Sequence, residues 1–233
     1  MEIALVASEI TGFSKVGGMG DVVGTLPPFF IEEGLQVNLF SPAYKSIFKS
    51  DNLEKIDIEF LVEMGNEIHK CGVYKHAYNN DSAIYFIDNA YFFRDRNVYV
   101  DDDGVLYEDN IERFILFQKA VLELLVILGK SPDIIHCHDN QAALIPLFLK
   151  AKYNTIENFR KTKSILTIHN IGYHGNFDMS LRHLLNLDEK HFYPMGRLEW
   201  YGEINPLKAG IIYADKVTTV SKTTLKKLQM TRS

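Results

Sequence analysis

Three short stretches of this 233-residue sequence carry side chains able to do chemistry: Lys15 with Gly17, Gly18 and Gly20; His136, His138 and Asp139; and His169 with Asn170. The first follows an apolar run, Ile3 to Ala7, of the kind that forms a buried parallel strand. It leads into Val22, Val23 and Leu26, which share one face of a helix. Glycines in such a strand-to-helix loop suit anion binding, because the backbone can approach a ligand closely and the helix's unpaired N–H groups point at it. Lys15 adds a mobile positive charge at the same mouth. Two other glycine loops fit less well. A dinucleotide fingerprint begun by Gly18-x-Gly20 needs its third glycine where Val23 stands, and an acidic residue after the second strand, where Ser41-Pro42 is found. A P-loop needs its lysine after the glycines, whereas Lys15 precedes them. Each glycine taken singly also fits a plain tight turn, but three within four positions beside a lysine favour a ligand loop.

His136 and His138 lie two residues apart at the end of a short apolar run, so on a strand they share a face, and Asp139 follows. Two imidazoles and a carboxylate could hold zinc, but Cys137 points to the opposite face and no further ligand has the spacing to join the histidines. A polar cluster at the carboxyl end of a parallel strand, where open α/β sheets bind ligands, is the favoured reading, and no metal is expected. A further apolar run, Ser164 to Ile168, ends in His169-Asn170. A lone histidine is more often structural than catalytic, yet two such endings on neighbouring βα units point to one shared site.

The elements that must position these groups are an alternation of strands and helices. A first helix from Met19 to Glu33 stops at Gly34, with a kink or break expected near Thr25 because Pro27 and Pro28 remove two donors. Gln36 to Ser41 is the next strand. Between Glu54 and Asp88 the pattern shortens and alternates, with turns at Gly65-Asn66 and Asn79-Asn80-Asp81, as in an antiparallel hairpin excursion that returns to the sheet. Asn89 to Asp109 is a long loop in which Tyr91, Phe92, Phe93, Tyr99 and Tyr107 could stack on sugar rings or pack onto the core with equal ease. Asn110 to Leu128 has a broad apolar face and is a core helix stopped by Gly129. Asn140 to Lys152 reads as a helix after the His136 strand, Lys216 to Val220 as the last strand, and Ser221 as the start of a basic terminal helix.

Composition fits one α/β domain over residues 1–233: 46% of residues are hydrophobic, enough for a sizeable core. A net charge of −5 argues against a nucleic-acid surface. The N-terminal apolar run lacks a preceding basic segment, and no later apolar stretch is long enough to cross a bilayer, so neither secretion nor membrane insertion is expected. Two distant cysteines, Cys71 and Cys137, fit a reducing, cytoplasmic setting.

Lys15-Val16-Gly17-Gly18-Met19-Gly20-Asp21-Val22, preceded by Ser8-Glu9 and followed by Leu26-Pro27, resembles the Lys-x-Gly-Gly-Leu-x-Asp-Val signature of bacterial glycogen synthases and plant starch synthases. His136-x-His138-Asp139-x-Gln141 resembles their His-x-His-Asp-Trp-x block, with Asn140 in place of the tryptophan. Thr167-Ile168-His169-Asn170 with Tyr173 and Gly175 is similar to their Thr-x-His-Asn-x-x-Tyr-Gln-Gly block, with His174 in place of the glutamine. Asn205 to Asp215 resembles their Asn-x-x-Lys-x-Gly helix. The resemblance implies a Rossmann-like, mainly parallel sheet flanked by helices, the N-terminal, acceptor-side half of a GT-B glycosyltransferase, with a C-terminal nucleotide-binding domain expected as its missing partner. It implies a retaining transfer of glucose from ADP-glucose to the non-reducing end of an α-1,4-glucan, with no cofactor and in the cytoplasm, or a plastid for a plant or algal source. His169 and Asp139 would be catalytic, and Lys15, Gly17, Gly18, Asn170, Tyr99 and Tyr173 would bind substrate. Other donors such as UDP-glucose, and a non-catalytic glucan-binding remnant, stay open, and 233 residues alone are expected to be inactive.

Overall fold

A computed structural model describes residues 1–50 and 52–221. In chain order its elements are β1 (Glu2–Val6), α1 (Gly18–Glu32), β2 (Gln36–Pro42), β3 (Glu54–Met64), β4 (Glu67–Ala77), β5 (Ala83–Asp88), α2 (Asn110–Ile127), β6 (Ile134–His138), α3 (Ile145–Ala151), β7 (Lys163–Ile168), β8 (Phe177–Asp178), β9 (Glu199–Trp200), β10 (Glu203–Ile204), α4 (Pro206–Tyr213) and β11 (Lys216–Thr219). The basic segment expected after Ser221 lies outside the described residues.

One sheet of eight strands runs in the order β11-β7-β6-β1-β2-β5-β4-β3, and β8, β10 and β9 form a small second sheet. From β11 to β5 every neighbouring pair is parallel; β4 and β3 add an antiparallel hairpin at the β5 edge. The expected excursion is therefore an extension of the main sheet, with a bulge in β3 between Ile56 and Glu59. From β1 the chain builds outward through β2 and β5 on one side, and from β6 through β7 and β11 on the other. The order reverses between β1 and β6, and a crevice opens at the carboxyl ends of strands flanking such a reversal.

Side-chain alternation sorts the interior into two cores. Ile3, Leu5, Val37, Leu39, Ile84 and Phe86 pack with Met19 and Val23 of α1, whereas Ala4, Val6, Phe40 and Tyr85 pack with α2 and α3 on the other face. Both cysteines are buried, and burial pushes the Cys71 thiol up to about 12. No helix among the described residues is long and apolar enough to cross a membrane.

Two helix readings are corrected. α1 runs through Pro27 and Pro28 without a break near Thr25. The prolines fall in its second half, and the turn beyond them is closed by Glu33 N–H to Phe29 O at 3.2 Å, Leu35 N–H to Phe30 O at 3.0 Å and Gly34 N–H to Ile31 O at 2.9 Å. Gly34, at φ +76°, turns the next peptide so that the Leu35 N–H can reach back to Phe30 O. The stretch Asn140 to Lys152 is not one helix: a 3-10 turn, Asn140–Ala142, precedes α3, because Pro146 fits only the first turn of a new helix.

The long loop before α2 is held by a buried cation. Arg113 has no exposed surface and donates to Phe92 O (2.9 Å), Asn97 O (2.8 Å), Val98 O (3.0 Å) and Asn110 Oδ1 (2.7 Å). Of the loop's aromatics, Phe92 and Phe93 are core, and the Tyr107 ring lies 4.0 Å from the Arg96 guanidinium and 4.6 Å from that of Arg113. These three are packing residues; Tyr91 is exposed. Arg113→Met should cost on the order of 3 kcal/mol in urea unfolding, since it strands several buried acceptors at once. Arg113→Lys should recover only part of this, because a point charge cannot span the same four oxygens. A loss below about 1 kcal/mol would show that the aromatics hold the loop instead.

Candidate active site

The loop after β1 folds back on itself around Glu9. This carboxylate is 4% exposed, and its Oε2 accepts the N–H groups of Val16 (2.8 Å) and Gly17 (2.6 Å). Its Oε1 accepts the Tyr99 hydroxyl at 2.7 Å, and that hydroxyl lies 2.9 Å from Ser8 Oγ. Burial holds the Tyr99 phenol far above its usual range, so it stays a donor. The Gly17 N–H that the sequence offers to a ligand is thus held by an internal anion. Gly18 opens α1, where the first N–H groups of a helix have no partner within it. Gly17 has φ −127°, an ordinary value, and a Cβ on Gly18 would meet nothing within 4 Å. Neither conformation nor protein packing demands a glycine at these two positions. Gly24 differs: a Cβ there would come within 2.5 Å of the Thr11 side chain, so it serves helix-to-loop packing. Lys15 pairs with Asp21 at 2.7 Å, both half-exposed.

At the ends of β6 and β7 the polar groups meet directly. Asp139 Oδ1 accepts the backbone N–H of His169 (2.7 Å) and of Asn170 (3.3 Å). Asp139 sits at φ 55° and ψ −170°, a region nearly reserved for glycine, at a cost of about 1–3 kcal/mol. Burial raises its carboxyl to about 6, against the pull of those two N–H groups, and the Glu9 charge adds to the rise. His138 Nδ1 is 3.0 Å from His169 Nε2, and His136 Nε2 is 2.6 Å from Thr167 Oγ1. Burial lowers all three imidazoles, His136 to about 4, so they are neutral at pH 7; at His169 the Glu9 charge opposes this fall. Asn170 caps its own turn through Gly172 N–H at 2.9 Å. Tyr173 is 69% exposed, and its carbonyl accepts from Asn140 Nδ2 at 3.1 Å. The described residues hold no group of three metal-ligating side chains.

Asp139, His169 and Asn170 are therefore joined by hydrogen bonds. Lys15, Gly17 and Gly18 follow β1, on the same carboxyl edge of the sheet, and the charge of Glu9 acts on both Asp139 and His169. Tyr99 reaches this group through its hydroxyl on Glu9, with its ring tilted against Phe114 and not laid open as a stacking plate. Motif reading takes Glu9 only as part of the Ser8-Glu9 pair before the glycine signature and gives it no role. An acidic side chain in a loop otherwise suited to anions is the one physical hint of its task.

Residues 2–232 match the family model described as "Starch synthase catalytic domain". The chain belongs to this family. A glycogen synthase of Thermodesulfovibrio yellowstonii is 38% identical across 98% of this chain and 48% of the relative, and that of Pseudothermotoga lettingae is 37% identical across 98% and 47%. The solved catalytic domain of starch synthase IV from Arabidopsis thaliana, bound to ADP and acarbose, superposes with a TM-score of 0.86 at 28% identity, covering 97% of this chain and 46% of that one. The chain thus has the fold of one half of a GT-B glycosyltransferase, and it spans about half the length of the curated relatives it matches.

The raised carboxyl of Asp139 makes a signed prediction for the stability of this chain. Between pH 4 and 6 the folded state binds more protons than the unfolded, so this group's contribution to stability falls as pH rises through that window. Asp139→Asn keeps an oxygen for the two N–H groups and tolerates a positive φ. It should stabilise the domain by up to about 3 kcal/mol at pH 7.5 and by almost nothing below pH 4. Urea midpoints across pH check this; a difference that does not change with pH would remove the buried charge from the account.

Proposed function

We propose that this chain is the acceptor-side half of a glycogen or starch synthase, which transfers glucose from ADP-glucose to the 4-OH at the non-reducing end of an α-1,4-glucan with retention. The observation that carries this reading is the strained Asp139 turn, whose buried carboxylate ties the backbone of His169 and Asn170 to the carboxyl end of β6, beside the chain reversal and the glycine loop. The family, and a solved relative holding ADP and acarbose, support the donor and acceptor classes.

Departure of the diphosphate builds negative charge on phosphate and positive charge on the sugar. Lys15, swung from Asp21, and the Gly18 N–H meet the first, each well-placed donor contributing about 3 kcal/mol to the transition state. Gly17 acts by its missing side chain, while its own N–H fixes the turn through Glu9. Asp139 keeps Oδ2 for the sugar or the incoming hydroxyl, since Oδ1 is engaged by backbone. His169 and Asn170 hold the transferred glucose, Tyr173 flanks the acceptor, and Tyr99 acts through its hydroxyl on Glu9, which closes the glycine turn. A second domain supplies the remaining positive charge at the donor phosphates, so the 233 residues alone turn over no donor.

In a full-length synthase, Lys15→Ala should lower kcat by about 10²–10³-fold. It should leave stability within about 0.5 kcal/mol, because the ion pair it removes is exposed. Wild-type turnover in that variant, or UDP-glucose outcompeting ADP-glucose in an assay of released nucleotide, would overturn the assignment. So would ordinary turnover by the 233-residue chain.

A further inference from the structure

His138 is completely buried, yet its role is not explained by packing. One ring nitrogen, Nδ1, lies 3.0 Å from His169 Nε2, so a single proton is shared between them. The other, Nε2, is buried without a partner. Burial, with His136 and His169 adding to it, pushes His138 well below 6.5, so it carries only one proton. Two arrangements remain. If His169 donates from Nε2, His138 must carry its proton on its own Nε2, leaving a buried N–H with no acceptor at a cost of about 1–3 kcal/mol. If His138 donates from Nδ1, the orphan is only a lone pair, the more tolerated defect in folded proteins.

We propose that His138 is a positioning residue that donates from Nδ1 to His169 Nε2 and so fixes His169 with its proton on Nδ1. The rest of the cluster holds His138 in place for this. Its ring stacks on His136 with centroids 4.3 Å apart, and His136 is tied through Thr167 Oγ1 to Thr218 Oγ1 at 2.7 Å. The backbone N–H of His169 is fixed by Asp139. Its ring Nδ1 has no hydrogen-bond partner among the described residues and is not among the fully buried orphan atoms, and the residue is half-buried. His169 therefore offers the crevice a neutral N–H donor and no basic nitrogen. Resting on the sugar-transfer reading above, this makes His169 a group that grips a sugar hydroxyl oxygen and excludes it as the base for the reaction.

The test is a long-range ¹H–¹⁵N spectrum of the ¹⁵N-histidine-labelled 233-residue chain, recorded without nucleotide or glucan, so it stands apart from any failure of the donor or acceptor assignment. The expected spectrum shows His138 and His169 both protonated on Nδ1. In His138→Leu, His169 should change to the Nε2–H form that free imidazole prefers. In His138→Asn, whose amide nitrogen replaces Nδ1 as donor, it should change back. An Nε2-protonated His169 in the wild type, or the same tautomer in wild type and His138→Leu, would overturn the proposal. If His138→Leu does not fold, the wild-type spectrum alone decides.

Discussion

The Asp139 carboxylate, accepting two backbone N–H groups from the loop after the next strand, is the bond on which the site depends. It joins the ends of β6 and β7, and holds its own residue in a backbone conformation that a free chain would abandon. Such strain persists only when the surroundings over-determine it. Here β6 is registered on both sides, by β1 and by β7, so neither end of the turn can relax. The same constraint sets the electrostatics, since a carboxylate fixed this way cannot turn out to water and stays buried.

Glu9 performs the complementary task on the other side of the chain reversal. It closes the glycine turn from inside, and through Tyr99 it fastens that turn to the long loop that Arg113 pins to α2. Two acids and one imidazole thus share a single electrostatic neighbourhood although they come from three different βα connections. The cost of burying them is carried by the two apolar cores beneath, to which five-residue strands such as β1 and β6 send alternate side chains.

The strands of the main sheet, the core helix α2 and the three chemical stretches were legible because periodicity and residue type are local signals, whereas the two-residue strands β8, β9 and β10 are too short to carry either. The family blocks added their order. What escaped depended on contacts across the chain. Nothing in the spacing of Glu9 and Gly17 says that the acid folds back to cap the turn. Phe92, Phe93 and Tyr107 look like sugar platforms until Arg113, whose charge suggests a surface residue, is found at the centre of their loop. Pro27 and Pro28 carry a strong breaking signal, yet tertiary packing around Pro27 and the Gly34 turn overrides it. Pro146 carries the same signal and is obeyed, since α3 can begin afresh there.

The bulge in β3 has a consequence for how the molecule behaves in a crowd. An outermost strand shows a row of free amides and carbonyls, an invitation to pair with another copy. In β3 the ladder rhythm is broken between Ile56 and Glu59, and Glu54, Lys55, Asp57, Glu59 and Glu63 turn outward along its length. A second molecule aligning there in antiparallel fashion would set acidic side chains against one another and lose register at the bulge. The sheet is closed to growth on that side by charge and geometry, with no covering element required.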